Sequence, residues 1–176
     1  MPTCTPALTA CGGNVVGSWH YASGCISTDA LFGQARMACP ALTLTNVTGD
    51  SRGLVIFSAT TVNRVIKTNV AGTINLPASC NFTMNCQQVQ TALANAAKTV
   101  TCAGTTGACA CDFTAEFATS GNPPYTLGTN QFTTDPATGQ ARTYNYCING
   151  AGSTVFTYQE TTATPRDPGI FVMNKK

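Results

Sequence analysis

The sequence contains little charge. Lysine, arginine, aspartate and glutamate make up 9% of its 176 residues, whereas an ordinary globular domain carries about 25%. The formal net charge of +2 is too small to favour a nucleic acid or an anionic membrane as a partner. Threonine, asparagine, serine and glutamine supply the polarity instead. We therefore expect a surface that is hydrated by hydrogen bonding more than by charge, as is common outside cells.

Long apolar runs are also missing. A helix needs about 20 apolar residues to span a bilayer, and no stretch of the chain approaches that length. The sequence therefore predicts no transmembrane segment. Its first residues contain neither a basic start nor an apolar core segment, so no secretory leader is recognisable. If the protein is exported, Met1 is expected to stand where a leader has been removed.

Histidine and tryptophan occur once each, at His20 and Trp19. A single histidine on a strand is usually a surface residue, and the sequence offers no spacing evidence for a Ser-His-Asp constellation around it. Zinc sites require Cys-x-x-Cys pairs or clusters of cysteine and histidine, and neither pattern is present. The sequence therefore predicts no catalytic site, no metal site and no cofactor.

Cysteine, by contrast, is abundant. Ten cysteines are dispersed along the chain, and an even, dispersed set indicates a disulfide framework formed in an oxidising compartment. The alternative is a cytosolic chain with free thiols, which so uncharged a protein would tolerate poorly. We expect five bridges among Cys4, Cys11, Cys25, Cys39, Cys80, Cys86, Cys102, Cys109, Cys111 and Cys147.

The sequence does not determine which cysteines pair. The stretch around Cys109 and Cys111 is the most informative. Cys109 and Cys111 lie two residues apart and share a face of the predicted strand. They could form a redox pair. Their common orientation favours bridges to two different partners, such as Cys102 and Cys147.

Alternating polarity predicts an all-β chain. The clearest strand runs from Val62 to Leu76, where the even positions are mostly apolar and the odd positions mostly polar. The phase fits one long strand or two strands joined by a bend, and Gly72 is the natural kink. A second strand is expected to end at Gly49-Asp50. Further short strands separated by turn signals bring the total to eight or nine.

One helix stands out, in the stretch NCQQVQTALANAAKT. Asn85 is expected to cap it, with Gln88 three residues later completing a capping box. Cys86 at its start could pair with Cys80 and fix the helix across a short loop, which would be a structural device.

These elements predict a closed antiparallel up-and-down β-barrel of about eight strands, with one short helix and disulfide bridges. Closure removes the sheet edges, which such weakly charged strands could not otherwise protect. A two-sheet sandwich is the alternative. The barrel domain is expected over residues 11–160. Residues 1–10 form an extended lead-in that is tied down by disulfides, and residues 161–176 form a C-terminal arm.

The triplet Gly17-Ser18-Trp19 resembles the Gly-x-Trp signature of lipocalins and their calycin relatives. Together with LPASC, the helix that carries a cysteine, VTC…CAC, DPATGQ and YNYCI, it makes roughly residues 11–160 similar to the secreted or lipid-anchored lipocalin-like proteins of myxobacteria. The resemblance implies a tryptophan that closes one barrel end beneath a basic side chain, for which Arg142 and Arg166 are the candidates. It also implies export, often behind a lipoprotein leader, with Cys4 near the anchoring cysteine.

Arg64 interrupts the apolar face of the long strand. If that face lines the barrel, a buried arginine needs a partner, which could be a ligand carboxylate, as in fatty-acid binders of the calycin group. The favoured alternative is that its side chain reaches out at the barrel mouth. The strand phase predicts a cavity lined by Trp19, Val62, Arg64, Ile66, Val70, Phe113 and Phe117.

Two functions fit these features. The first is an exported carrier or scavenger that binds a small hydrophobic molecule without covalent chemistry. The second is a structural or adhesive protein of the cell surface with a filled barrel, whose terminal arm could assemble neighbouring copies by strand addition. A barrel with large inward side chains on every strand would favour the second function. No feature of the sequence indicates an enzyme.

Overall fold

The structure, a computed structural model, describes residues 1, 3–4, 7–28, 31–80, 83–149, 151–163 and 165–176. Within them the chain forms one antiparallel sheet of ten strands, two short helices and a 3₁₀ turn. The strands are β1 Gly17–Ile26, β2 Thr43–Phe57, β3 Val62–Leu76, β4 Thr99–Thr105, β5 Ala108–Gly121, β6 Tyr125–Leu127, β7 Gln131–Thr134, β8 Arg142–Asn149, β9 Val155–Glu160 and β10 Gly169–Lys175. The helices are α1 Gly33–Ala38 and α2 Cys86–Leu93, and the 3₁₀ turn is Ala78–Cys80. An all-β chain with disulfides is thereby confirmed.

The sheet is open, which corrects the expectation of a closed barrel. Its order is β4-β5-β3-β2-β1-β10-β9-β8-β7-β6, and the edge strands β4 and β6 do not pair in the described part of the chain. The order is also not sequential, because β5 returns to pair with β3 and leaves β4 outside. The sheet nevertheless curls, since Thr61 bridges to Pro124 and the Val62 N–H donates to the Pro123 carbonyl at 3.0 Å.

The strand that was expected to end at Gly49-Asp50 continues, so β2 runs through to Phe57. Gly49 lies opposite Val70 on β3, and a Cβ there would come within 2.9 Å of the Asn69 carbonyl oxygen. The glycine therefore permits a close approach between paired strands, and it does not form a turn.

Strand β3 has the predicted bounds and the predicted alternation. Its even positions from Val62 to Val70 are buried, and the odd positions between them are exposed or half-buried. Its register with β5 runs unbroken through Gly72, which lies opposite Phe113. A Cβ on Gly72 would lie 3.2 Å from the Phe113 ring, so the glycine makes room for that ring.

Helix α2 begins as predicted. The Asn85 side chain accepts a hydrogen bond from the Gln88 backbone N–H at 3.0 Å, and the Gln88 side chain accepts one from the Asn85 N–H at 2.9 Å. This capping box satisfies two N–H groups that the first turn would otherwise leave unpaired. Helix α1, by contrast, was not predicted. The described residues contain no helix long and apolar enough to cross a membrane.

All ten cysteines are paired, which confirms the expected framework and is typical of an oxidising compartment. The bridges are Cys4–Cys25, Cys11–Cys147, Cys39–Cys80, Cys86–Cys109 and Cys102–Cys111. The suggested Cys80–Cys86 pair is wrong. Cys109 and Cys111 do bridge to two different partners, of which Cys102 is one, whereas Cys147 pairs with Cys11. The reason lies in the packing of α2 against β4 and β5, which brings Cys86 to a Cα distance of 5.6 Å from Cys109.

Both ends of the chain are held by the sheet. Thr3 bridges to Ile26 at the end of β1, beside the Cys4–Cys25 disulfide. Residues 161–176 were expected to form an arm, but Gly169–Lys175 is strand β10, paired with β1 on one side and β9 on the other. Its apolar side chains, among them Phe171 and Met173, are buried, and this burial stabilises the segment as an inner strand of the sheet.

The interior contains two apolar clusters. The helix-covered core joins parts of β1 to β5 with residues of both helices and includes Val70, Val89 and Phe113. The aromatic core joins β1 to β3 with β7 to β10 and includes Trp19, Tyr144 and other ring side chains. The inner face of the curled sheet therefore buries side chains in both the helix-covered core and the aromatic core.

Candidate functional site

The residues expected to line one cavity are divided between the two cores. Phe117 is partly buried and packs against the helix-covered core, whereas the other apolar members of the set are buried. The division is Trp19, Val62 and Ile66 in the aromatic core and Val70, Phe113 and Phe117 in the helix-covered core. These residues therefore pack in two apolar clusters, and a cavity between them stays a prediction.

Trp19 is fully buried, and its indole N–H donates to the Val15 carbonyl at 2.7 Å. The basic side chain over its ring is that of Lys175, whose Nζ lies 5.5 Å from the ring centroid. Neither Arg142 nor Arg166 has that role. Lys175 is placed there by register, because it lies directly opposite Trp19 in the pairing of β1 with β10.

Aromatic rings fill the interior beside Trp19. Phe132 stacks on Tyr144 at 4.5 Å between centroids, and Phe156 stacks on Tyr158 at 5.4 Å. Phe171 continues the second stack at 5.3 Å from Tyr158. These rings therefore contact one another across strands β7 to β10.

Arg64 is buried at the border of the aromatic core, with 4% of its surface exposed. Its guanidinium forms an ion pair with Asp167, which is 3% exposed, and donates a second hydrogen bond to the Tyr144 hydroxyl. Thr119 donates to the other oxygen of Asp167 at 3.1 Å. The alternative in which Arg64 reaches solvent at a barrel mouth is therefore wrong, and the carboxylate that it binds belongs to this chain.

A second buried ion pair positions Asp167. Arg142 donates to Glu160 at 2.7 Å, where the Glu160 side chain is fully buried. The second Glu160 oxygen accepts the backbone N–H groups of Arg166 and Asp167, at 2.8 and 3.0 Å. The connection between β9 and β10 is thus bound through its backbone to the last residue of β9. We call Arg64, Arg142, Glu160 and Asp167 the buried charge cluster.

Two tyrosines next to the buried charge cluster ionise less readily than a tyrosine in water. Burial raises the pKa of Tyr144, and the nearby Arg64 charge offsets part of that effect. Burial raises the pKa of Tyr158 further, since this side chain is fully enclosed. Both phenols are therefore neutral at physiological pH.

Tyr158 and Tyr144 give a matched pair of stability predictions. The Tyr158 hydroxyl is buried without a hydrogen-bond partner in the described part of the chain. We expect Tyr158→Phe to raise the free energy of unfolding by about 1 kcal/mol, because an unpaired buried hydroxyl carries a desolvation cost. Tyr144→Phe should instead lower it by about 1.5 to 3 kcal/mol, because Arg64 loses an acceptor. Urea denaturation of both variants measures the difference, and a loss on Tyr158→Phe would contradict the prediction.

The outer face of the sheet carries an open groove of about 500 Å³. It lies over β2, β3 and β5, where the alternation of each strand directs polar side chains outward. Its lining residues are Thr48, Gly49, Asp50, Asn69, Val70, Ala71, Lys98, Thr114 and Ala115. We call this feature the outer groove.

Side chains that could hold a metal ion are dispersed in the described part of the chain. Among the described residues, no three histidine, cysteine, aspartate or glutamate side chains are grouped closely enough to hold a metal ion. His20 is half-buried and lies opposite Leu54 on one side and Asn174 on the other. The contacts within the buried charge cluster are hydrogen bonds and ion pairs.

No protein-family model matches the chain, and no curated protein matches it.

Sequence reasoning missed the acidic partners of the buried charge cluster. The burial of Glu160 could have been predicted, because Phe156, Tyr158 and Glu160 are alternate residues of β9 and their side chains point to the same, inner face of the sheet. Asp167 carried no such signal, since it lies in an irregular Pro-rich connection where no periodicity applies.

Proposed function

We propose that the protein is an exported, disulfide-bridged interaction protein of the cell surface, with a filled interior and a binding function on its outer surface. The observation that carries this proposal is the occupation of the interior. Aromatic rings stack across the space inside the curled sheet, and the guanidinium that a ligand carboxylate could have bound is neutralised by Asp167.

Several further features support a secreted β-protein. Five disulfides are typical of an oxidising compartment, and both ends of the chain are tied to the sheet. The Gly17-Ser18-Trp19 triplet with Lys175 over the tryptophan ring is similar to the closed barrel end of lipocalins. A lipocalin-like barrel origin and a lipid anchor remain predictions.

Assembly of neighbouring copies through a terminal arm has little structural support. Residues 169–175 already pair on both sides within the sheet, so this segment has no free edge to donate to a second copy. Self-association by another surface remains a prediction, and a native mass in multiples of the monomer would support it.

The native mass of protein purified from its source distinguishes this proposal from the alternative, in which the protein carries a small hydrophobic molecule. We expect the bare mass of the disulfide-bonded chain, because aromatic rings are stacked in the interior beside Trp19. Additional mass that leaves on denaturation without reductant would contradict the filled interior and support the carrier.

Phe156→Ala provides a positive control for the filled interior. Phe156 is fully buried among other rings, so its truncation should leave an apolar cavity at a cost of about 3 to 5 kcal/mol. Such a cavity binds benzene, and benzene should therefore raise the melting temperature of the variant. The wild-type protein should show no comparable increase, and an equal increase in both would reveal an existing cavity.

A further inference from the structure

The chain contains two aspartyl-prolyl peptide bonds, Asp135–Pro136 and Asp167–Pro168. Such a bond can break from within, because the aspartate carboxylate is tethered beside its own main-chain carbonyl carbon and can close a five-membered ring on it. The proline nitrogen then leaves as a basic secondary amine. The reaction requires a carboxylate that is free to attack and donors that stabilise negative charge on the carbonyl oxygen.

The folded protein protects the Asp167–Pro168 bond. The Asp167 carboxylate pairs with Arg64 through one oxygen and accepts the Thr119 hydroxyl through the other. The side chain is also buried. Because both oxygens are occupied, this carboxylate is not free to attack the carbonyl carbon beside it.

Asp135, directly after β7, differs in each respect. Its half-buried side chain has no hydrogen-bond or ion-pair partner among the residues that the structure describes. Its backbone is left-handed, with a φ of 51°, whereas a residue before proline prefers an extended backbone. The Asp135 N–H donates to the Pro124 carbonyl at 3.0 Å. The edge of the sheet therefore holds Asp135 in an unfavourable conformation, and such conformations cluster at functional sites.

Thr138 supplies two donors to the carbonyl oxygen of Asp135. Its backbone N–H donates at 3.0 Å, which closes a turn with Pro136 as the second residue. Its hydroxyl donates to the same oxygen at 3.1 Å. Attack by the carboxylate would leave a negative charge on this oxygen, and donors at about 2.7 to 3.1 Å stabilise such an oxyanion. The turn therefore combines a free nucleophile with a polarised carbonyl group.

We propose that Asp135–Pro136 is a self-cleaving bond of the folded protein, with Asp135 as the nucleophile and Thr138 as the oxyanion donor. A carboxylate oxygen of Asp135 bonds to the Asp135 carbonyl carbon, and the bond from that carbon to the Pro136 nitrogen breaks. The nitrogen takes a proton from water at the exposed Pro136 and leaves as an amine. Asp135 becomes a cyclic anhydride, which water or a primary amine of another molecule then opens.

The cleaved protein remains in one piece. The broken bond lies between Cys11 and Cys147, so their disulfide joins the fragments 1–135 and 136–176. Strand β10 of the second fragment also stays paired with β1 of the first. An amine that opens the anhydride becomes attached to Asp135 by an amide bond, which would fix the folded protein covalently to an amine-bearing neighbour.

The test is incubation of the intact, disulfide-bonded protein in mildly acidic buffer, followed by reduction and mass measurement. We expect the fragments 1–135 and 136–176, with Asp167–Pro168 uncut in the same sample. In the chain unfolded by urea and reductant, both bonds lose their surroundings. Cleavage at Asp135–Pro136 should then slow at least about tenfold, to the rate of Asp167–Pro168. Equal rates at Asp135–Pro136 in the folded and unfolded chains would overturn the proposal.

Two variants assign the roles. Asp135→Asn should slow cleavage at least about 100-fold, because an amide is a much weaker nucleophile than a carboxylate. Thr138→Val keeps the backbone donor and removes the hydroxyl, so we expect a loss of about tenfold at this exposed turn. Asp50→Asn makes the same carboxylate-to-amide change on β2 and should leave the rate unchanged. Cleavage that persists at its full rate in Asp135→Asn would contradict the assignment of the nucleophile.

Hydroxylamine, which stays nucleophilic in mild acid, detects the anhydride. We expect fragment 1–135 to carry hydroxylamine on Asp135, whereas a fragment without the adduct would indicate direct hydrolysis and overturn the anhydride step. Self-cleavage and the proposed function fail separately. Hydrolysis adds the mass of a water molecule that stays on denaturation without reductant, whereas a guest of the interior would leave.

Discussion

Asp167→Asn is expected to lower the free energy of unfolding by about 3 to 5 kcal/mol, because it leaves the buried Arg64 guanidinium without its counter-charge. The two side chains are 4% and 3% exposed, so water cannot replace the lost carboxylate. Urea denaturation with the disulfides intact measures the change. Glu116→Gln is the matched control, since it makes the same carboxylate-to-amide change in an exposed ion pair and should have little effect.

A double variant distinguishes the cost of an unpaired charge from the loss of packing. Arg64→Met in the Asp167→Asn background removes the unpaired guanidinium, and an apolar replacement of a buried pair is often tolerated. We expect it to recover much of the stability lost in the single variant. A further loss in the double variant would show that Arg64 contributes mainly through the rings of Tyr144 and Tyr158, over which it lies.

Removal of the Cys11–Cys147 disulfide should cost about 5 kcal/mol, since this bridge spans 136 residues and a loop of about 100 residues already corresponds to about 4.7 kcal/mol. The expected cause is the chain entropy that the unfolded state regains. The measurement is the urea midpoint of the variant with serine at both positions, Cys11→Ser and Cys147→Ser.

The Cys102–Cys111 disulfide is the internal control for that prediction. Its two residues are only 9 positions apart and lie opposite each other in the pairing of β4 with β5. Replacing both with serine should therefore cost less than about 3 kcal/mol, the value for a 15-residue loop. Equal losses for the two bridges would contradict the entropic explanation.

The inferences from sequence that succeeded depend on local patterns. Alternation along β3 gave both its bounds and its buried face, and the Asn85–Gln88 spacing gave the capping box of α2. The number and dispersion of the cysteines predicted a complete disulfide framework. In each case the signal lies within a few residues of the structure that it specifies, or in the composition of the whole chain.

The inferences that failed required knowledge of which distant segments lie together. Gly49 resembled a turn residue, yet it serves a close approach to Asn69 on the paired strand. The last residues resembled an arm until their pairing partners, β1 and β9, were known.

The sequence by itself determined an all-β, disulfide-bridged chain of low charge, because alternation, cysteine content and composition are local or additive properties. Only the tertiary structure decided that the sheet is open, that β10 lies at its centre and that Arg64 binds Asp167. These features depend on contacts between residues far apart in sequence, such as the 103 positions that separate Arg64 from Asp167. Such contacts follow from strand order and packing, for which a single sequence carries no direct signal.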